Sequence, residues 1–111
     1  MARRIHAIAF ESSTAISATG NSSGLEVTAY MEAVIYVSVT TLTGTTPTMD
    51  VTVEHSYENT TFFTLSKFAR ITATGQYQKS ISGFGKFTRI SYTLGGTLPV
   101  FTTTIKGDFK S

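Results

Sequence analysis

The sequence has no cysteine, which excludes disulfide scaffolds, thiol catalysis, iron–sulfur clusters and cysteine-based zinc sites together. It has no tryptophan, two prolines and two histidines, His6 and His55. Charge is thin. Asp, Glu, Lys and Arg make up 14% of the chain, against about a quarter in an average domain. The nine basic and seven acidic residues leave a net charge of +2, and no basic run is long enough to form a tail or a nucleic-acid patch. Leucine, the commonest helix-core residue, occurs five times. No segment approaches the ~18 consecutive apolar residues of a membrane-spanning helix. The apolar stretch after Arg3-Arg4 is interrupted by His6 and closed by Glu11, too early for the apolar region of a signal peptide.

Threonine and serine fill the gap left by charge, with 21 and 12 copies. Threonine is β-branched and favours strands over helices. Hydrophobic residues at 41% and aromatics at 12% supply one core. A chain of 111 residues buries about two thirds of its surface on folding. No linker or shift in composition divides it, so one all-β domain is expected.

Turn signals recur at intervals that suit short strands: Gly20-Asn21-Ser22-Ser23-Gly24, Gly44-Thr45-Thr46-Pro47, Glu58-Asn59-Thr60, Gly75, Gly83-Phe84-Gly85 and Gly95-Gly96-Thr97-Leu98-Pro99. Between them apolar residues alternate with period two, as half-buried strands require. Ile35, Val37 and Val39 oppose Tyr36, Ser38 and Thr40, while Met49, Val51 and Val53 oppose Asp50, Thr52 and Glu54. The pattern predicts strands near 5–10, 13–19, 25–29, 33–43, 48–56, 61–65, 76–82, 86–95 and 99–107, with seven or eight of these forming. The expected architecture is a single antiparallel β-sandwich, of jelly-roll or immunoglobulin-like type.

An internal repeat stands at an offset of 52. Thr41-Leu42-Thr43-Gly44-Thr45-Thr46-Pro47 matches Thr93-Leu94-Gly95-Gly96-Thr97-Leu98-Pro99, and six of thirteen positions through Val53 and Ile105 are identical. Each copy reads locally as strand, Gly-turn-Pro reversal and strand, hence a sandwich built round two hairpins. Before the turn the inward sets do not align, since Val37 and Val39 fall opposite Arg89 and Ser91. Either a bulge in one copy repairs this or the similarity stops at the turn.

Catalytic groups are scarce. Neither histidine belongs to a metal-ligand spacing, and no GxSxG elbow is present. Glu54 and Glu58 are too isolated to read as a glycosidase pair rather than a solvated rim. Gly83-Phe84-Gly85-Lys86 lacks the longer frame of a phosphate-binding loop. Lys86-Phe87-Thr88-Arg89 places basic and aromatic residues on one strand, as single-strand nucleic-acid binders do, but interleaved acids argue against that partner. Neither enzyme nor cofactor nor metal is expected, and no membrane partner. Threonine-rich strands, the Phe62-Phe63 pair and the low charge leave weakly guarded sheet edges, which favours assembly. Residues 1–12 form an N-terminal arm or edge strand and 13–111 the sandwich. If the segment is an arm, Ile5, His6, Ile8 and Phe10 add as a strand to a neighbour, with Arg3 and Arg4 pairing with acidic groups. Exposed Tyr30, Tyr57 and Tyr77 offer an alternative role in stacking on sugar rings.

The tract from Ile71 to Phe101 carries a glycine-centred turn, then Phe87-Thr88-Arg89 and Gly96-Thr97-Leu98-Pro99. With Ala18-Thr19-Gly20-Asn21 and Gly44-Thr45-Thr46-Pro47 it resembles small β-rich virion proteins of tailed bacteriophages, over about residues 14–107. The resembled pattern has Asp-Gly and Trp in the middle loop, where this chain has Glu58-Asn59 and Phe62. The resemblance implies a capsid decoration or cement protein. It would contact the major capsid protein and neighbouring copies of itself on the virion, after assembly in the bacterial cytoplasm. Tail or neck placement is the alternative.

Overall fold

The computed structural model describes residues 5–22, 24–28 and 30–110, and among them it contains strands and no helix. The strands are β1 (Ile5–Ile16), β2 (Gly20–Asn21), β3 (Leu25–Glu26), β4 (Glu32–Ser56), β5 (Phe63–Lys67), β6 (Gly75–Ser82) and β7 (Phe87–Lys110). All pair antiparallel in a single seven-stranded sheet. β4 and β7 form its spine, paired from Glu32↔Lys110 at one end to Ser56↔Phe87 at the other. The chain from β1 to β3 lines the outer side of β7, and β5 and β6 line that of β4.

This spine is folded back on itself. Its strands are 25 and 24 residues long, so a straight ribbon would reach about 80 Å at ~3.3 Å per residue. The longest dimension of the molecule is 49 Å. Two connections locate the fold. Glu26 pairs with Phe87 at one end of the ribbon, while Glu32 pairs with Lys110 at the other. Only six residue steps join them, a reach of about 20 Å. Likewise Ser82 pairs with Glu32, and Phe87 with Ser56. The two ends of the ribbon therefore meet, and the sheet becomes two layers. Layer one holds β1, the second half of β7, the first half of β4, and β6. Layer two holds β2 and β3, the first half of β7, the second half of β4, and β5.

The bend lies at Gly44–Pro47 and Gly96–Pro99, where register breaks occur on both sides of the Thr45↔Thr97 pair. Gly44 and Gly96 have φ of 115° and 95°, and Thr46 and Leu98 follow at 44° and 48°. A Cβ on Gly44 would stand 2.8 Å from the Leu98 carbonyl oxygen, and one on Gly96 would stand 2.5 Å from that of Thr46. Each repeat thus grips the other's backbone, and only glycine satisfies both the positive φ and the contact. Here the architecture departs from expectation. The two Gly-to-Pro segments do not reverse the chain into separate hairpins; both strands run on through them. Segments 33–43 and 48–56 are accordingly one strand, as are 86–95 and 99–107.

The repeat is a structural two-fold. Met49, Val51 and Val53 are buried, as are their counterparts Phe101, Thr103 and Ile105 at the offset of 52. Before the bend the correspondence slips by one: buried Ile35 and Val37 match buried Thr88 and Ile90. The break between Val39↔Thr103 and Thr41↔Thr102 leaves Thr40 as the extra residue. A bulge in one copy therefore restores the inward set, as alternation demands.

Both layers feed one core, with Ile35, Val37, Phe101, Ile105 and Phe109 from layer one and Met49, Val51, Val53 and Ile90 from layer two. The end where the layers cross is sealed by aromatics. Phe109 is fully buried, and the rings of Phe10, Tyr30 and Phe84 stand 6.2, 5.7 and 5.7 Å from it. Tyr30 and Phe84 sit in the two crossovers, so one side chain ties both to the sheet. The fully buried Thr88 hydroxyl has no hydrogen-bond partner among the described residues, whereas that of Thr103 donates to the Phe101 carbonyl at 3.1 Å.

Gly44→Ala and Gly96→Ala are each expected to cost at least ~2 kcal/mol in strain and contact, a drop in Tm on the order of 10 °C. Gly83→Ala is the control: its φ is 70° but open space surrounds it, so only about 1 kcal/mol is lost. Thr88→Val removes the unpartnered hydroxyl without changing shape and is expected to add ~1 kcal/mol. Thermal unfolding of the four variants checks all of this, and equal Tm values for Gly44→Ala and Gly83→Ala would overturn the account of the bend.

Candidate functional site

Of the residues that sequence chemistry would draw on, Glu54 and His55 are already committed to the structure. The Glu54 carboxylate accepts from Arg89 Nε at 2.8 Å, and the Arg89 guanidinium lies 4.0 Å over the Phe62 ring. His55 Nδ1 accepts the Gly85 N–H at 2.9 Å, which anchors the second crossover to β4. Glu58 is on the exposed β4–β5 loop, where the Ser56 hydroxyl accepts the N–H groups of Glu58 and Asn59. Asn59 has φ 63°, so asparagine serves the left-handed turn position. Arg70 forks onto Asp50 through two bonds of 3.1 Å; these bonds hold the Asp50 carboxyl below its ordinary range against the opposing effect of desolvation. Burial, and then the Glu11 carboxylate, push the Tyr92 phenol up, so at neutral pH it remains a donor to Glu11 at 3.4 Å.

What the fold leaves open is edge and end. Arg3 and Arg4 lie outside the described residues. Ile5 and His6 pair in register with Lys110 and Phe109. Ile8 and Phe10 are half-buried against the core. β1 is an edge strand, so one side of its backbone is available to another chain. Its register breaks twice between Ala9 and Thr14, and Ser13 has φ 48°, so the edge is kinked. β6 differs. It pairs with β4 over eight residues without a register shift, and Lys79 is its single charge. This flat, weakly charged edge is a better template for strand addition than β1. Its sequence signal is the alternation in Gln76-Tyr77-Gln78-Lys79-Ser80-Ile81-Ser82, which reads equally well as an interior strand.

Four large hydrophobics stand exposed among the described residues: Met31 at 74%, Tyr57 at 70%, Phe63 at 54% and Leu98 at 83%. Met31, Tyr57 and Phe63 belong to the end where the crossovers lie and where β1 begins. Leu98 marks the opposite tip, in the bend. Of the tyrosines expected to be exposed, Tyr57 is. Tyr30 packs on Phe109, and Tyr77, half-buried, donates its hydroxyl to the Ala73 carbonyl at 2.7 Å.

A folded sheet of this kind occurs elsewhere. The SPBc2 prophage-derived protein YomS superimposes with a TM-score of 0.67 at 16% identity, over 100% of this chain and 96% of that one. The PBSX exported protein XepA gives a TM-score of 0.60 at 12% identity, over 97% of this chain but 36% of that one. At such identities the likeness is one of fold. The same unit makes up nearly all of one protein and about a third of the other. No family model matches the sequence, and no curated protein does.

Removing residues 2–9 deletes Ile8 and about half of the β1 ladder and is expected to lower Tm by several degrees, as loss of a half-buried strand requires. An unchanged Tm would instead make this segment an arm held outside the domain.

Proposed function

We propose that this protein is a non-enzymatic structural component of a bacteriophage particle. The observation that carries the reading is the agreement of fold over the whole chain with a prophage-derived protein of almost the same extent. The resemblance of the Ile71–Phe101 tract to tailed-phage virion proteins points the same way. The commitment of Glu54 and His55 to structural bonds supports a non-catalytic role.

In its specific form, the protein is a decoration or cement protein. The crossover end, with Met31, Tyr57 and Phe63, faces the major capsid protein. The open edges β1 and β6 face neighbouring copies. Each copy bridges subunits, so separating the shell breaks several interfaces at once. A second reading follows from XepA being an exported protein: the fold would then work after release, free of particles.

Fractionation of a phage lysate on a density gradient, with mass spectrometry of each fraction, tests both. Co-migration with intact heads is expected. Recovery only as free protein would replace the virion reading with the second one. Ser80→Lys with Ser82→Lys is expected to weaken association between copies while leaving Tm within a few degrees, because charge on an edge obstructs strand addition.

A further inference from the structure

The two-fold relation between the layers supplies an internal comparison for their outer faces. In layer two, Glu54 and Arg89 are cross-strand partners, and their ion pair at 2.8 Å, with Phe62 stacked on the guanidinium, closes the surface. The equivalent pair in layer one is Lys106 and Tyr36. Among the described residues no ion pair forms there. A hollow of about 510 Å³ remains instead, lined by Tyr36, Ser38, Gln76, Thr104, Lys106 and Asp108. Ala7, opposite Asp108 in the register, keeps one wall low. The volume falls in the range of small-molecule sites, ~300–1,000 Å³.

We propose that this hollow binds a neutral pyranose saccharide. Its lining is matched to such a ligand. Tyr36 supplies a rigid, amphipathic surface for the C–H face of a sugar ring. Gln76 both donates and accepts, Ser38 adds a hydroxyl, and the Thr104 hydroxyl, which accepts the Ser13 N–H at 3.0 Å, keeps its own proton to donate. Lys106 can only donate and the Asp108 carboxylate only accept. They stand two residues apart on one strand, roughly 7 Å between Cα atoms, a gap that vicinal hydroxyls can bridge. One positive and one negative group leave no excess charge, which disfavours phosphate and nucleic acid. The side chains of Tyr36, Ser38, Gln76, Lys106 and Asp108 make no hydrogen bond within the described residues. At the matching place in layer two Glu54 and Arg89 satisfy each other. The site is independent of the virion reading, lies away from Tyr30 and Tyr57, and is on the opposite face of β6 from Tyr77.

Isothermal titration with cellotriose, maltotriose and triacetylchitotriose tests it, with inorganic phosphate as the charged probe. At least one trisaccharide is expected to bind with millimolar or better affinity. Tyr36→Ala should weaken it by about tenfold or more, and Gln76→Ala by a smaller factor. Thr52→Ala, at the layer-two position equivalent to Thr104, should have no effect. Amide shifts of the unmodified protein on titration should cluster at residues 36–38, 76 and 104–108, a readout that survives if Tyr36→Ala fails to fold. The proposal is overturned if none of the three sugars produces heat or shifts, if the shifts map elsewhere, or if phosphate alone binds.

Discussion

The mutual grip of Gly44 and Gly96 at the bend sets the shape of everything else in this protein. Two strands that each pair over more than twenty residues would make a long, exposed ribbon, with both faces open to water. Folding that ribbon at its midpoint lets one face cover itself, so a single sheet supplies both walls of its own core. The cost is local: of the four residues at positive φ, Thr46 and Leu98 are non-glycine, each worth about 1–3 kcal/mol of strain. The gain is the burial of two sets of Val, Ile, Met and Phe at roughly 25 cal/mol per Å². Burial wins because it grows with the length of both arms, whereas the strain is confined to two positions.

Folding also creates the requirement that the far ends be held together, and Phe109 meets it. Its ring is touched from β1 and from both crossovers, and the His55–Gly85 bond fastens one crossover again. Bend and clasp are coupled. If the bend opened, the crossovers could not span from one end of the ribbon to the other; if the clasp loosened, the bend would hold nothing against the core. Most contacts of this fold are therefore distant in sequence, a topology associated with slow folding.

The strands were legible because period-two alternation is a local property, and the inward sets of β4 and β7 follow it residue by residue. The repeat was legible too, with a bulge as one of two ways to account for its inward sets, and Thr40 supplies that bulge. The path of the chain at the repeat was not. Gly44 through Pro47 has the composition of a reversal, and locally it does turn. Whether a turn reverses a strand or merely bends it depends on what the flanking residues pair with. Here Thr43 and Thr48 pair with Val100 and Gly95 rather than with each other. That choice is made about fifty residues away. The surfaces are less legible for a related reason. Tyr36 looked like any outward residue of a strand, and its setting emerged only once Lys106 was placed beside it.

The two layers share a backbone plan but not a surface chemistry, and the difference bears on function. A two-fold repeat whose outer faces were both sealed by ion pairs would be a spacer, with its edges as the only means of contact. Layer two approaches that condition through Glu54–Arg89 and Asp50–Arg70. Layer one does not. It has the eight-residue edge β6, the edge β1, and a face on which the side chains of Tyr36, Ser38, Gln76, Lys106 and Asp108 are unspent among the described residues. Stability does not demand this asymmetry, because the same positions in layer two show that a cross-strand ion pair fits the geometry. The sealed layer suits a scaffold and the open layer suits contact, which is why the proposed reading sets neighbouring copies along β1 and β6 and leaves the crossover end to the capsid.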